Sequence, residues 1–270
     1  MNNTLSFMSA NYVARQVGYD MTGGWGQGDK AANTYYQPLD TFPERFGELL
    51  RDVRSLGFEA VDVWTSHLSP AWATDRHIEI AQQLLRENDL RVPSLGGWFG
   101  STRDEFEASC RIAEALGGAV LGGSTSMLQK DRAYVMETLA AAGLRLGLEN
   151  HPEKTPQELR ERIGDGDGVI GAAVDTGWFG TQGYDAATAL EELADVLFYV
   201  HLKDVREVGA HDTCRYGEGI VPLRACVRVL HEIGYRDAIC VEHEPERFDP
   251  TEDVRASREL LEGWMAEHHD

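Results

Sequence analysis

Eight times along this chain, a short apolar or β-branched run bounded by glycine or turn residues gives way to a stretch with helical spacing. Strand-like runs fall at 5–10, 59–64, 91–95, 119–122, 145–149, 169–174, 196–202 and 238–242. Helical patterns lie between and after them, near 41–56, 74–88, 103–116, 131–142, 155–163, 185–193, 222–233 and 252–267. The segment "TRDEFEASCRIAEALG" illustrates the second kind: Phe106, Cys110, Ala113 and Leu116 share a face, Thr102 can cap, and Gly117 can end the helix. Strands separated by helices pair in parallel, and eight such units in 270 residues predict an α/β fold that closes as a (β/α)8 barrel. An open doubly wound sheet is the runner-up.

No linker, charge block or short-period repeat interrupts the pattern, so residues 1–270 read as a single barrel domain. Two connections are too long for a compact turn. Residues 11–40, with Trp25, Tyr35 and Tyr36 among glycines, read as an ordered lid loop, and residues 203–221 as an active-site loop. The 45 acidic against 25 basic residues give a formal charge of −20, which repels nucleic acid and anionic membrane surfaces. Cys110, Cys214, Cys226 and Cys240 are scattered and read as reduced thiols. With a start that does not resemble a signal peptide and no long apolar run, the expectation is a cytoplasmic protein without a membrane span.

The apolar runs end in chemistry. "LRLGLENHPE" ends in Glu149, Asn150 and His151; "GAAVDTGW" ends in Asp175; "VLFYVHLKD" carries His201, Lys203 and Asp204; "AICVEHEPE" ends in Glu242, His243 and Glu244. In a barrel the carboxyl ends of the strands line one mouth. Glu149, Asp175, His201 and Glu242 would converge there, and three carboxylates together need a neutralising charge. One divalent cation is the simplest, with three oxygen donors and one nitrogen that suit Mn²⁺, Mg²⁺, Co²⁺ or Zn²⁺.

The motifs "LGFEAVDVW", "GLENH", "VDTGW", "VHLKD", "RYGEG" and "CVEHE", in that order, resemble the xylose-isomerase-like TIM barrel superfamily. The likeness is to its sugar isomerase and epimerase branch, which includes ketose 3-epimerases and inosose dehydratase and isomerase enzymes. The resemblance implies that Glu149, Asp175, His201 and Glu242 hold the metal, Mn²⁺ first, and that Glu149 and Glu242 exchange protons with the carbon beside a sugar carbonyl. It implies that Arg215 contacts substrate. The chain departs from the pattern at Trp178, where many members have a histidine. Trp25, Trp64 and Trp98 could join Trp178 in an aromatic-lined pocket.

The chemistry of such a site covers isomerisation, epimerisation or, with a β-leaving group, lyase or dehydratase action on a keto-sugar or 3-keto-glycoside. His67 could hold a hydroxyl or protonate a leaving group, His151 or His243 could steady a metal ligand, and Lys203 and Arg215 could screen carboxylates or touch substrate. Asp204 and Glu244 read as partners of those cations. His77, His231, His268 and His269 read as surface residues. The expected partner is a small-molecule sugar, with homo-oligomerisation left open. A DNA-repair reading from the same superfamily needs three metals and a basic surface, and a silent sugar-binding barrel would lack turnover. The "GDGVIG" stretch at 166–171 follows a helix and leads into a strand, so it reads as a turn and not a dinucleotide loop.

Overall fold

A computed structural model describes residues 1–268, so His269 lies outside the described residues. The strands are β1 (Leu5–Met8), β2 (Ala60–Trp64), β3 (Ser94–Trp98), β4 (Val120–Ser124), β5 (Arg145–Glu149), β6 (Ile170–Asp175), β7 (Leu197–Leu202), β8 (Asp204–Glu207), β9 (Ala210–Cys214) and β10 (Ile239–Val241). Strands β1 to β7 and β10 form a closed barrel whose neighbours pair in parallel, and β1 seals it by pairing with both β2 and β10. The outer helices are α2 (Phe42–Ser55), α3 (Asp75–Glu87), α4 (Arg103–Leu116), α6 (Arg132–Ala142), α7 (Pro156–Ile163), α9 (Ala186–Glu192), α10 (Leu223–Glu232) and α11 (Thr251–Ala266). The (β/α)8 expectation holds, and the doubly wound alternative does not, because the sheet has no open edge.

The local chemistry accounts for the boundaries. In α4 the Thr102 hydroxyl accepts from the Glu105 N–H, the Glu105 carboxylate accepts from the Thr102 N–H, and Gly117 turns left-handed at φ 82°. Strand β3 starts three residues later than expected: Pro93 has no N–H for the ladder, and Arg91 makes only an isolated bridge to Ala60. Its sequence, SLGGW, is rich in glycine and hid the strand.

The two long connections are built, not loose. A 3-10 helix (Ser9–Val17) and α1 (Trp25–Tyr36) replace the expected lid loop. The indole N–H groups of Trp64 and Trp72 pin α1 by donating to Asp29 at 2.8 Å and Asn33 at 3.0 Å. The 203–221 segment opens with the antiparallel β8–β9 hairpin. Beyond it, the Asp204 carboxylate accepts from the N–H groups of Val205, Gly217, Gly219 and Val221, which clamps the loop; Asp204 pairs with backbone and not with a cation. Two short helices, α5 (Met127–Lys130) and α8 (Thr176–Thr181), also interrupt strict alternation. His77 is buried, not at the surface: it caps α3 with Thr74 and bonds the Gln37 carbonyl at 3.1 Å. All four cysteines are free and buried, and no helix among the described residues is long and apolar enough to cross a membrane.

Strand side chains alternate, so every second residue points into the barrel. Outward-facing Val174, Val200 and Leu202 join the main core beneath the helices, while Met8, Ala173, Tyr199 and Cys240 fill the interior. Asp62 sits among them and accepts from the hydroxyls of Ser6, Ser94 and Tyr199. Above that plug the strands carry glycine: Gly97 and Gly123 face each other across β3 and β4. A Cβ on Gly123 would stand 2.0 Å from the Gly97 carbonyl oxygen, at φ 153°.

Gly123→Ala should therefore destabilise the fold by about 3 kcal/mol or more, since backbone of a paired strand cannot yield. Gly234→Ala, at φ 73° with nothing within 4 Å, should cost only about 1 kcal/mol. Chemical unfolding of the two variants checks the contrast.

Candidate active site and metal centre

The mouth at the carboxyl ends of the strands is made by the same alternation. Tyr199, His201 and Lys203 succeed one another on the inner face of β7 and just beyond it. Register places Asp175 beside His201 and Cys240 on its other side, so Glu242, two residues on, rises next to them. Glu149 ends β5 opposite Ala173.

Two asparagines hold the rim. Asn150 accepts from the Asp175 N–H at 2.7 Å and donates to the Asp175 carbonyl at 3.0 Å, which ties the end of β5 to β6. Asn11 does the same across the first and last strands, donating to the Val241 carbonyl at 3.2 Å and accepting from the His243 N–H at 2.8 Å. The amide in "GLENH" is thus a clamp, and its side chain makes both bonds that a sheet ladder would make. Gly177 in "VDTGW" has a steric role: a Cβ there would lie 2.7 Å from Cγ of Lys203.

The polar groups form a closed ring in which carboxylates and nitrogens alternate. His201 Nδ1 lies 2.9 Å from Glu149 Oε1 and 3.4 Å from Glu242 Oε2. Lys203 Nζ lies 3.3 Å from Glu242 Oε2, 3.0 Å from Asp175 Oδ2 and 2.8 Å from Glu244 Oε2. His151 closes the ring, its Nε2 3.3 Å from Asp175 Oδ2 and its Nδ1 3.6 Å from Glu149 Oε2. Glu149, His201 and Glu242 bring ligand atoms close enough for one ion, as do Glu149, His151 and Asp175.

The electrostatics follow from this packing. Burial alone would neutralise Lys203, but Asp175, Glu242 and Glu244 outweigh it and hold the ammonium well above its ordinary range. Burial likewise opposes charge on Asp175, and Lys203 with His151 reverses that, holding the carboxyl well below the usual range. Burial disfavours a proton on His201, yet Glu242 and Glu149 push it up to about 10. Burial and the neighbouring charge of Glu244 raise Glu242 well above a normal glutamate, against Lys203 and His201. Glu149 goes the other way: burial raises it, but His151 and His201 bring it below its ordinary value.

Over this ring opens a cavity of about 260 Å³, lined by Trp25, Trp64, Trp178, His151 and His211 and by Glu149, Lys203 and Glu242 of the ring, with Glu244 and Glu246. Trp64 ends β2 and Trp178 follows β6, strands on opposite sides of the barrel. Trp25 packs edge-on to Trp64 at 5.9 Å, and Trp178 packs on His151 at 4.5 Å and His211 at 5.4 Å. A larger hollow of about 510 Å³, lined by Arg86, Arg91 and Arg236, sits at the other end of the barrel, away from this chemistry.

Of the residues expected to touch substrate, His151, Trp178 and Lys203 line the cavity, and His67, Trp98 and Arg215 do not. His67 is buried under the lid, 3.0 Å from Ser9 Oγ and edge-on to Tyr36, and burial lowers its pKa to about 3. Trp98 ends β3 and is 49 % exposed. Arg215 is held by Asp253 at 2.6 Å. His243 bonds Thr213 and Asp253 beneath the rim. His211 and Glu246 are the lining residues that sequence reasoning missed. His211 stands on the β8–β9 hairpin, with Nδ1 3.0 Å from Thr181 Oγ1, and nothing in the sequence announces that hairpin.

The chain matches a family described as xylose isomerase-like TIM barrel over residues 50–266. No curated protein sequence matches it. Among solved structures it is similar to an IolI protein with a bound zinc atom, 15 % identical, TM-score 0.70, covering 99 % of each chain. It is similar to a D-tagatose 3-epimerase-like protein, 16 % identical, TM-score 0.68, covering 98 % of this chain and 97 % of that one. It is also similar to 3-keto-D-glucoside 4-epimerase from E. coli, 20 % identical, TM-score 0.62, covering 80 % of this chain and 94 % of that one. At these identities the likeness is one of fold.

Lys203→Met should destabilise the metal-free protein by about 3–5 kcal/mol at pH 7, because it strands buried carboxylates without a counter-charge. Asp175 has a depressed pKa, so its contribution is present above the ordinary value of 3.8 and is lost as pH falls below it. Urea unfolding at pH 7 and at pH 3.5 should show the gap between wild type and variant narrowing in acid.

Proposed function

Because the chain belongs to the xylose isomerase-like TIM barrel family, we propose that it is a divalent-metal-dependent sugar isomerase or epimerase that moves a proton at the carbon beside a sugar carbonyl. One observation carries this reading: two glutamates pushed apart in proton affinity, Glu149 and Glu242, flank one imidazole at the floor of an aromatic-walled cavity. Environments that separate two carboxylates in this way supply a base and an acid.

The residues fit a metal ion. Ligand atoms of Glu149, His201 and Glu242 lie within 4.8 Å of one another, close enough to share one ion. Glu242 Oε2 is buried and accepts no well-aligned hydrogen bond, although Lys203 and His201 stand near it. Glu149, His201 and Glu242 would hold the ion, with Asp175 beside them. The ion, when bound, supplies Lewis-acid stabilisation of negative charge on the substrate's carbonyl oxygen. Mn²⁺ is the first candidate.

The chain's own groups do the rest. Glu149, held ionised by His151 and His201, is suited to take the proton. Glu242, whose proton affinity burial and Glu244 raise well above that of a normal glutamate, is suited to give one back. Lys203 steadies Asp175, Glu242 and Glu244 in their geometry. Trp25, Trp64 and Trp178 offer apolar walls to a sugar ring and exclude water from it. Return of the proton to the opposite face gives epimerisation, and return to the neighbouring carbon gives isomerisation. A keto-sugar with a β-leaving group would lose it by the same first step, which makes lyase action the second reading. Four free buried cysteines agree with a cytoplasmic protein.

NMR in D₂O with a panel of keto-sugars, inososes and 3-keto-glycosides tests the proposal. The Mn²⁺-loaded protein should place deuterium beside the carbonyl, and Glu149→Gln or Glu242→Gln should slow uptake by about 10²–10⁴-fold. Metal bound with no uptake on any of them would instead indicate a silent sugar-binding barrel. Metal loading should itself release protons. His201, pushed to about 10, carries a proton at neutral pH and must lose it to donate to an ion. Calorimetry in two buffers should find at least one proton released per ion at pH 7.5, with affinity rising as pH rises.

A further inference from the structure

A second groove, of about 460 Å³, lies beside the catalytic cavity. His211, Glu244 and Glu246 line both, so the two hollows share a wall. The inner cavity, at about 260 Å³, falls just below the roughly 300 Å³ at which pockets for drug-sized ligands begin. It suits one sugar ring. The outer groove is as large again and is furnished differently. Phe248 is 39 % exposed there, one of few large apolar side chains left open among the described residues, and it is steadied by the His243 ring at 5.7 Å. Arg247 beside it makes no ion pair among the described residues, and Arg206 is held by Asp212 at 3.4 Å.

An exposed phenyl ring flanked by guanidinium and carboxylate groups has the chemistry of a sugar-ring platform. The ring covers the C–H face, while arginine donors and glutamate acceptors meet hydroxyls. We infer that the substrate is a glycoside, with the reacting keto-ring in the inner cavity and a second sugar ring on Phe248 in the outer groove. The inference rests on the sugar chemistry proposed above and adds a binding site to it. His211 and Glu246 stand in the shared wall, where the glycosidic link would lie beside them.

The test compares a 3-keto-monosaccharide with a 3-keto-disaccharide on the metal-loaded full-length protein, by deuterium uptake at varied concentration. The disaccharide should have kcat/KM about tenfold higher, mostly through KM, the contribution of one stacked ring. Phe248→Ala should bring the ratio of the two substrates close to one, and Phe248→Tyr should keep it. Arg247→Ala, on the exposed rim, should lower the same ratio if the phenylalanine variant folds poorly. A ratio near one in the wild-type protein, or variants that slow both substrates equally, would overturn the outer site while leaving the sugar chemistry intact. Uptake on neither substrate would remove the chemistry, and the glycoside inference with it.

Discussion

The site depends on one buried ammonium. Lys203 stands among Asp175, Glu242 and Glu244, and without it three carboxylates would crowd a space largely removed from water. A charge so placed is stable only because its partners surround it. The surrounding backbone is shaped for it: Thr176 accepts from the Lys203 N–H at 2.8 Å, and Gly177 leaves room for the aliphatic stem. The lysine thereby sets how much negative charge remains at the floor of the cavity, while His151 and His201 lower Glu149 and burial with Glu244 raises Glu242.

Closure of the barrel makes that arrangement rigid. Glu149, Asp175, His201 and Glu242 come from four strands, and each strand is fixed by a neighbour on either side. Asn150 and Asn11 extend the pairing past the last ladder bonds, so the ends that carry the acids are as constrained as the strands. The lid is pinned with equal economy. Trp64 faces the cavity and donates its indole N–H to α1, so one side chain is both wall and anchor. A cavity so enclosed raises the strength of every charge interaction within it.

The mouth is also where the sequence and the structure part company. The alternation of strand and helix patterns, the eight outer helices and the converging Glu149, Asp175, His201 and Glu242 were legible because local periodicity sets which way a strand's side chains point. The SLGGW strand was misplaced because two glycines carry no β signal. The lid was expected as a loop because α1 is held through Asp29 and Asn33 by the indoles of Trp64 and Trp72, which lie far along the chain. His67, Trp98 and Arg215 looked like site residues since each stands near a strand end or a motif. Tilt and lid packing then turned the first into the core, left the second facing solvent and gave the third to Asp253.

Sequence by itself determined the barrel and the carboxylates at its mouth, because a period of two along each strand and a helix between strands leave little choice of architecture. Only the tertiary structure decided which nitrogen meets which oxygen, that Lys203 belongs to the ring, and that His211 and Glu246 line the cavity from a hairpin and a rim loop. Those contacts link residues far apart in the chain, and their distances are set by how eight strands stagger around a closed circle, which no local pattern records.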